Sequence, residues 1–145
     1  MKIMIIGSMA FSKEMLSAKE ELTDKGFTVW IPDDAQVHVD NPDLADDFKE
    51  NFKHATETDI MWKCFDKVAK SDAVLALNYP KNNTEGYIGT STRMEIALAY
   101  YFKKHLFLLN NFPSEEECRW AHEIKIMNPT VLDGSFEKLV SLLNS

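Results

Sequence analysis

The chain has 145 residues, 45% hydrophobic and 27% charged, a globular composition that excludes disordered, collagen-like and low-complexity chains. Sixteen Lys plus Arg face 23 Asp plus Glu, a formal net charge of −7, so the basic face that a nucleic-acid backbone requires is missing and no nucleic-acid partner is expected. Its apolar runs are too short to span a bilayer, Met1-Lys2-Ile3-Met4-Ile5-Ile6 is too short for a signal peptide, and Cys64 and Cys118 lack metal-ligand spacing, so no membrane partner and a reduced, cytoplasmic setting are expected.

In chain order, Lys2–Ile6 reads as a buried strand that ends in Gly7-Ser8. A helix is predicted from about Ser12 to Lys25, with Met15, Ala18 and Leu22 on one face and Gly26 as its stop. Thr28–Ile31 reads as a second strand, closed by Pro32. The polar stretch from Asp33 to Glu50 holds seven acids and reads as a loop, with a helix from about Leu44 to His54. Asp59 to Lys70 reads as a further helix with Ile60, Cys64 and Val68 aligned, and Ala73–Leu77 as the third strand. A turn-rich loop from Asn78 to Gly89 precedes a helix from near Ser91 to Phe102. Leu106–Leu109 reads as strand four, Ser114 caps a helix through about His122, Thr130–Leu132 is strand five, and Phe136, Leu139, Val140 and Leu143 mark a closing helix.

Strands alternating with helices imply right-handed crossovers and a parallel sheet. The expected fold is a single α/β domain over residues 1–145. It is doubly wound and flavodoxin- or Rossmann-like, with five strands in the order 2-1-3-4-5 and helices on both faces. Sites in such folds lie at the carboxyl ends of the strands, which directs attention to the loops after strands one, three and four.

The first of these loops, Gly7-Ser8-Met9-Ala10-Phe11-Ser12, feeds a helix start where backbone N–H groups favour anions. It matches neither the P-loop nor the dinucleotide fingerprint; a tight turn with Ser8 as a local hydrogen-bonder is the alternative. The second, Gly86-Tyr87-Ile88-Gly89-Thr90-Ser91-Thr92-Arg93-Met94-Glu95, has two glycines that allow close approach and three successive hydroxyls. Glu95 then falls early in an apolar helix, where a carboxylate can attack an anomeric carbon or bind a sugar diol. Alternatively it completes a capping box with Ser91 or Thr92. Asp59 reads as an N-cap or first-turn acid, and Asp72 as structural. The histidines at positions 38, 54, 105 and 122 show no HxH or HExxH spacing, and neither a metal site nor a cofactor is expected.

Three segments together carry a family resemblance: Ile5-Ile6-Gly7-Ser8, Ser71-Asp72-Ala73-Val74-Leu75-Ala76-Leu77-Asn78, and Gly89-Thr90-Ser91-Thr92-Arg93-Met94-Glu95-Ile96-Ala97-Leu98-Ala99. With Phe107-Leu108-Leu109-Asn110-Asn111-Phe112-Pro113 they make the chain similar to the nucleoside 2-deoxyribosyltransferase superfamily, which includes the deoxynucleoside monophosphate N-glycosidases. The resemblance spans nearly the whole chain and is nearest to small members of the superfamily. It implies that Glu95 is a nucleophile that forms a glycosyl-enzyme intermediate and that Asp59 assists it. Ser8, Ser12, Ser91 and Thr92 would handle substrate or phosphate beside Gly7, Tyr87 and Gly89. Asn110 or Asn111 would reach a neighbouring subunit's site in a homodimer, and the substrate would be a nucleoside or nucleoside monophosphate. Met4 stands where several members carry a tyrosine, and Gly89 where many carry an acid. Those two departures favour the alternative of a nucleotide-binding or sensing module with little turnover. The apolar Ser91–Phe102 helix, with Tyr100, Tyr101 and Phe102 at its end, independently suggests an interface in a homodimer or larger homo-oligomer.

Overall fold

The first strand is buried on both faces: Ile3, Met4, Ile5 and Ile6 are fully inaccessible. A run without polar alternation suits the centre of a parallel sheet covered on both sides. In the computed structural model, which describes residues 1–145, β1 (Lys2–Gly7) pairs with β2 (Thr28–Trp30) and β3 (Ala73–Leu77). β4 (His105–Leu108) and β5 (Thr130–Val131) complete an all-parallel sheet of order β2-β1-β3-β4-β5. The expected fold class, strand order and central first strand are all observed.

The period of two along each strand sorts the core into two layers. Ile3, Ile5, Leu75, Leu77 and Phe107 meet Met15, Ala18 and Leu22 of α1 (Ser12–Asp24) and Leu139 of α7 (Phe136–Leu143). Met4, Ile6, Val74, Ala76 and Leu108 meet Cys64 and Val68 of α4 (Ile60–Lys70), Ile96 and Ala99 of α5 (Thr90–Tyr101) and Ile124 of α6 (Ala121–Ile126). Burying each large apolar side chain contributes roughly 1.5–3 kcal/mol, so a one-residue slip of β1 exchanges the partners of both layers at once.

The stretch from residue 33 to 58 departs most from expectation. A short helix, α2 (Ala35–Asp40), lies within the expected loop and buries Ala35 and His38. The expected 44–54 helix is a 3-10 turn, Leu44–Asp46, followed by α3 (Phe48–Thr58), whose start is capped by Asp47 through its bond from the Glu50 N–H at 3.2 Å. α3 ends at Asp59, which adopts the left-handed conformation (φ 52°) and separates it from α4. The helix expected from Ser114 begins at Ala121 instead. Ser114 Oγ accepts from the Glu116 N–H at 3.2 Å, a local bond that competes with helix, and three adjacent glutamates crowd like charge there. Asp72 is structural, as expected: it lies at the amino end of the sheet, and its Oδ2 accepts from the Lys2 N–H at 2.8 Å.

At the carboxyl edge, the loops after β3 and β4 are joined through Asn78, which is 1% exposed. Its side chain donates to the Asn110 and Asn111 carbonyls at 2.8 and 3.2 Å and accepts from the Asn110 N–H at 2.8 Å. Gly86 (φ 67°) lies so near the same segment that a Cβ would be 2.2 Å from the Asn111 carbonyl oxygen. The close approach that this glycine permits is therefore to the chain itself. Gly89 has a negative φ, and an added Cβ there meets only the Tyr87 ring at 3.8 Å. On α5, Ile96 and Ala99 are buried, whereas Met94, Tyr100 and Tyr101, with Phe102 just past its end, are exposed. No helix is long and apolar enough to cross a membrane.

These contacts set a contrast between the two glycines. Gly86→Ala combines a left-handed backbone with a backbone clash and is expected to cost about 3 kcal/mol or more. Gly89→Ala is expected to stay within about 1 kcal/mol of the parent. Urea midpoints at constant slope measure both.

Candidate active site

Gly7 pairs with Leu77 across β1 and β3, so the loops that follow these strands leave the sheet side by side. The second loop leads into α5, whose N-cap is Gly89, with no side-chain capping bond. Glu95 is the sixth residue of this helix and is 6% exposed. It makes no hydrogen bond and no ion pair, so the capping box with Ser91 or Thr92 is not formed; Glu95 lies too far past the N-cap to reach back to it. Its oxygens keep slight contact with solvent. Burial pushes its carboxyl up to about 8, because the charged form loses hydration without gaining a donor. Thr92 is also buried and stands three residues earlier, on the same helical face. Ser91 is exposed.

Two buried groups belong to the same neighbourhood. The Cys64 thiol is pushed up to about 12, first by burial and then by the negative charges of Glu95 and Asp34, with Lys67 opposing. Such a thiol stays protonated at neutral pH and is no nucleophile. Asp34 is 6% exposed and lies between His38 and His54, whose Nε2 atoms are 3.2 and 2.8 Å from its Oδ2. Burial opposes its charge, but the two imidazoles outweigh that and hold its carboxyl below the usual range. Lys67 Nζ donates to the Ile31 carbonyl at 2.8 Å and pairs with Asp33, fixing the segment just after β2.

The first loop is joined to the second by a cation. Lys81 Nζ donates to Ser8 Oγ at 3.3 Å and lies 5.1 Å from the Tyr87 ring centroid. Ser8 Oγ also accepts from the Ala10 N–H at 3.3 Å, so the anticipated local hydrogen-bonder and the anticipated site hydroxyl are the same group. Ser12 is 2% exposed and donates to the Met9 carbonyl at 2.5 Å, closing the short 3-10 turn before α1. Gly7 is needed for packing, since a Cβ there would be 2.9 Å from the Leu77 carbonyl oxygen. Asn110 is bound to Asn78 through both backbone and side chain. Asp59 is exposed at the α3–α4 junction and makes no side-chain capping bond. No hydrogen bond or ion pair joins Glu95 to Ser8 or Asp59. Gly7, Ser8, Lys81 and Tyr87 thus form one group at the edge, and Glu95, Thr92 and Cys64 another.

A cavity of about 650 Å³ lies elsewhere, along α2 and α3, lined by Asp40, Asp43, Asp47, Glu50 and Glu57 with His54 and Lys53. Its acidity disfavours a phosphorylated ligand.

No family model matches the chain, and no curated protein does. Among solved structures the chain is similar to the CMP N-glycosidase BcmB of Clostridium botulinum, at 16% identity over 99% of this chain and 98% of that one, with a TM-score of 0.47.

Lys81 and Asp34 are not among the residues that the sequence points to. Lys81 sits among turn formers, and only the fold brings it to Ser8, 73 positions away. Asp34 did carry a signal: it stands four residues before His38, the spacing that aligns two side chains on one helical face.

The burial of Glu95 couples folding to pH with a defined sign. Between about 4.5 and about 8 the folded chain keeps a proton that the unfolded chain has released. Stability therefore falls as pH rises through that window and levels off above it, at up to about 1.4 kcal/mol per pH unit. Glu95→Gln is expected to match the parent at pH 4.5 and to exceed it by a few kcal/mol at pH 8.5, read from urea unfolding at both values.

Proposed function

We propose that this protein cleaves or transfers the N-glycosidic bond of a nucleoside or nucleoside monophosphate, with Glu95 as the nucleophile. The supporting observation is a buried carboxyl group without any protein hydrogen-bond partner, in a helix that starts at the carboxyl edge of the sheet. No stabilising role for the fold accounts for it, and burying it has a cost. The sequence resemblance to the nucleoside 2-deoxyribosyltransferase superfamily assigns the nucleophile to the same residue.

In this reading the Glu95 carboxylate attacks the anomeric carbon as the carbon–nitrogen bond breaks. The base leaves with the bonding electrons and takes up a proton, and water or a second base then releases the sugar from its ester with Glu95. Thr92, buried one turn before Glu95 on the same helical face, is the hydroxyl assigned to the sugar in this reading. Lys81, held between Ser8 and Tyr87, is the group suited to a 5′-phosphate: it is a partly buried cation at a loop that already gathers a hydroxyl and a helix start. Gly7 and Gly89 shape the edges of the site, Ser91 offers an exposed hydroxyl, and Asp59 is assigned an assisting role by the resemblance alone. Tyr100, Tyr101 and Phe102, exposed at the end of α5, form the face we assign to a second copy in a homodimer. Light scattering tests that assignment, and a 16.6 kDa species at working concentration overturns it.

Binding without turnover is the competing reading, and the protonation of Glu95 at neutral pH favours it. Glu95→Gln distinguishes the two. It is expected to retain ligand binding and to lose base release by several orders of magnitude; undiminished release overturns the nucleophile assignment, and binding with no release by the parent selects the module.

The pH profile supplies a second test. A nucleophile must be ionised, so kcat/KM for base release is expected to rise with pH and flatten above about 8. A fall over that range makes Glu95 an acid instead. Lys81→Ala is expected to raise KM for a nucleoside monophosphate about 10–100-fold and to leave the unphosphorylated nucleoside unaffected.

A further inference from the structure

We propose that Asp34, His38 and His54 bind one divalent transition-metal ion, by their donor chemistry Zn²⁺, at a site that opens on the acidic cavity along α2 and α3. The three side chains offer one oxygen and two imidazole nitrogens, all within 4.8 Å of one another. Both Nε2 atoms converge on the same Asp34 oxygen, at 3.2 and 2.8 Å. Tetrahedral zinc, with ligands at about 2.0–2.1 Å, needs donor atoms about 3.3 Å apart. A small outward movement of the imidazoles opens that space.

Hydrogen bonding alone leaves this cluster incomplete. A carboxylate with two imidazole neighbours can give each one an oxygen. Here both face Oδ2, and Oδ1 is buried with no partner. The Asp34 side chain is 7% exposed. Although Asp34 occupies the N-cap position of α2, its side chain caps nothing there. A cation between the three groups would satisfy the carboxylate through one or both oxygens.

The chain supplies its ligands from two elements. Asp34 and His38 are one turn apart and align on one face, whereas His54 comes from α3. The ion would therefore tie α3 to the segment after β2. His54 also lines the cavity whose wall carries five carboxylates and one lysine, a negative field that concentrates cations at its mouth. Two nitrogens and one oxygen suit zinc and its neighbours, whereas magnesium and calcium take oxygen sets. Three protein ligands leave a fourth position for water or a ligand from the cavity. This site is independent of the glycosidic reading, since neither Glu95 nor Lys81 takes part.

The test uses the intact chain without any histidine tag. Equilibrium dialysis against zinc chloride, followed by elemental analysis, is expected to give one zinc per chain, and zinc is expected to raise the melting temperature. Cobalt(II) in its place is expected to give the visible absorption of a four-coordinate ion. His54→Ala, which removes a partly exposed side chain of α3, is expected to weaken binding about 100-fold or more. His122→Ala, at the surface pair with Glu115 (4.0 Å), is expected to leave binding unchanged. If His38→Ala or Asp34→Asn fails to fold, the parent stoichiometry and the His54 variant still decide the matter. Absence of saturable zinc binding by the parent overturns the proposal, as does equal binding by His54→Ala. Binding that alkylation of Cys64 and Cys118 abolishes, and His54→Ala does not, also overturns it.

Discussion

The pairing of β1 with β3 brings Gly7 alongside Leu77, so closely that a methyl group on Gly7 would press against the Leu77 carbonyl. Both candidate loops inherit their positions from that contact. Because the two strands are parallel, their chains leave the sheet at the same level and in the same direction. Ser8 and Lys81, far apart in sequence, then meet within hydrogen-bond distance. The Asn78 bonds to the segment after β4 hold the third loop to this frame. A polar side chain that is 1% exposed is tolerated there because the backbone groups it meets have no sheet partners at the strand ends.

Charge is unevenly placed over this frame. A chain with seven excess negative charges sets Lys81 against Ser8 of the first loop, buries Glu95 within α5, and lines the cavity along α2 and α3 with five acids. Local charge, and not net charge, decides what each region attracts. The loop edge around Lys81 suits an anion, and the α2–α3 cavity suits a cation. A single average over the chain conceals both.

The architecture was legible in the sequence because parallel strands write their signal continuously. Residues 3–6 and 73–77 are apolar without interruption, and the intervening helices show a clear 3.6-residue period. Glu95 stands out in the sequence for the converse reason, as one acid in an apolar helix. Its two readings, cap or reactive group, differ by the position of the N-cap, which sequence places only to within a residue or two. The segment after β2 was illegible. α2 has six residues, too few for a period to show, and its buried face consists of Ala35 and His38. The Asp34–His38 spacing was present but was masked by the density of acids around it. Lys81 carried no signal at all, since its meaning depends on a contact that spans half the chain.

The left-handed residue at Asp59 has a consequence for how the molecule opens. α3 contributes no buried residue, and Phe48 and Phe52 stand on it at 85% and 71% exposure. It is joined to α4 through one residue with helix-breaking dihedrals, and His54 reaches inward from it to Asp34. A helix so attached is expected to open as a separate cooperative unit, at a lower free-energy cost than unfolding the sheet. Its amides are expected to exchange with solvent ahead of those of α1 and α5, and a protease is expected to cut at exposed Phe48 or Phe52 before the five strands open. The break at Asp59 thus leaves α3 outside the two packed layers, tied inward by the His54–Asp34 contact.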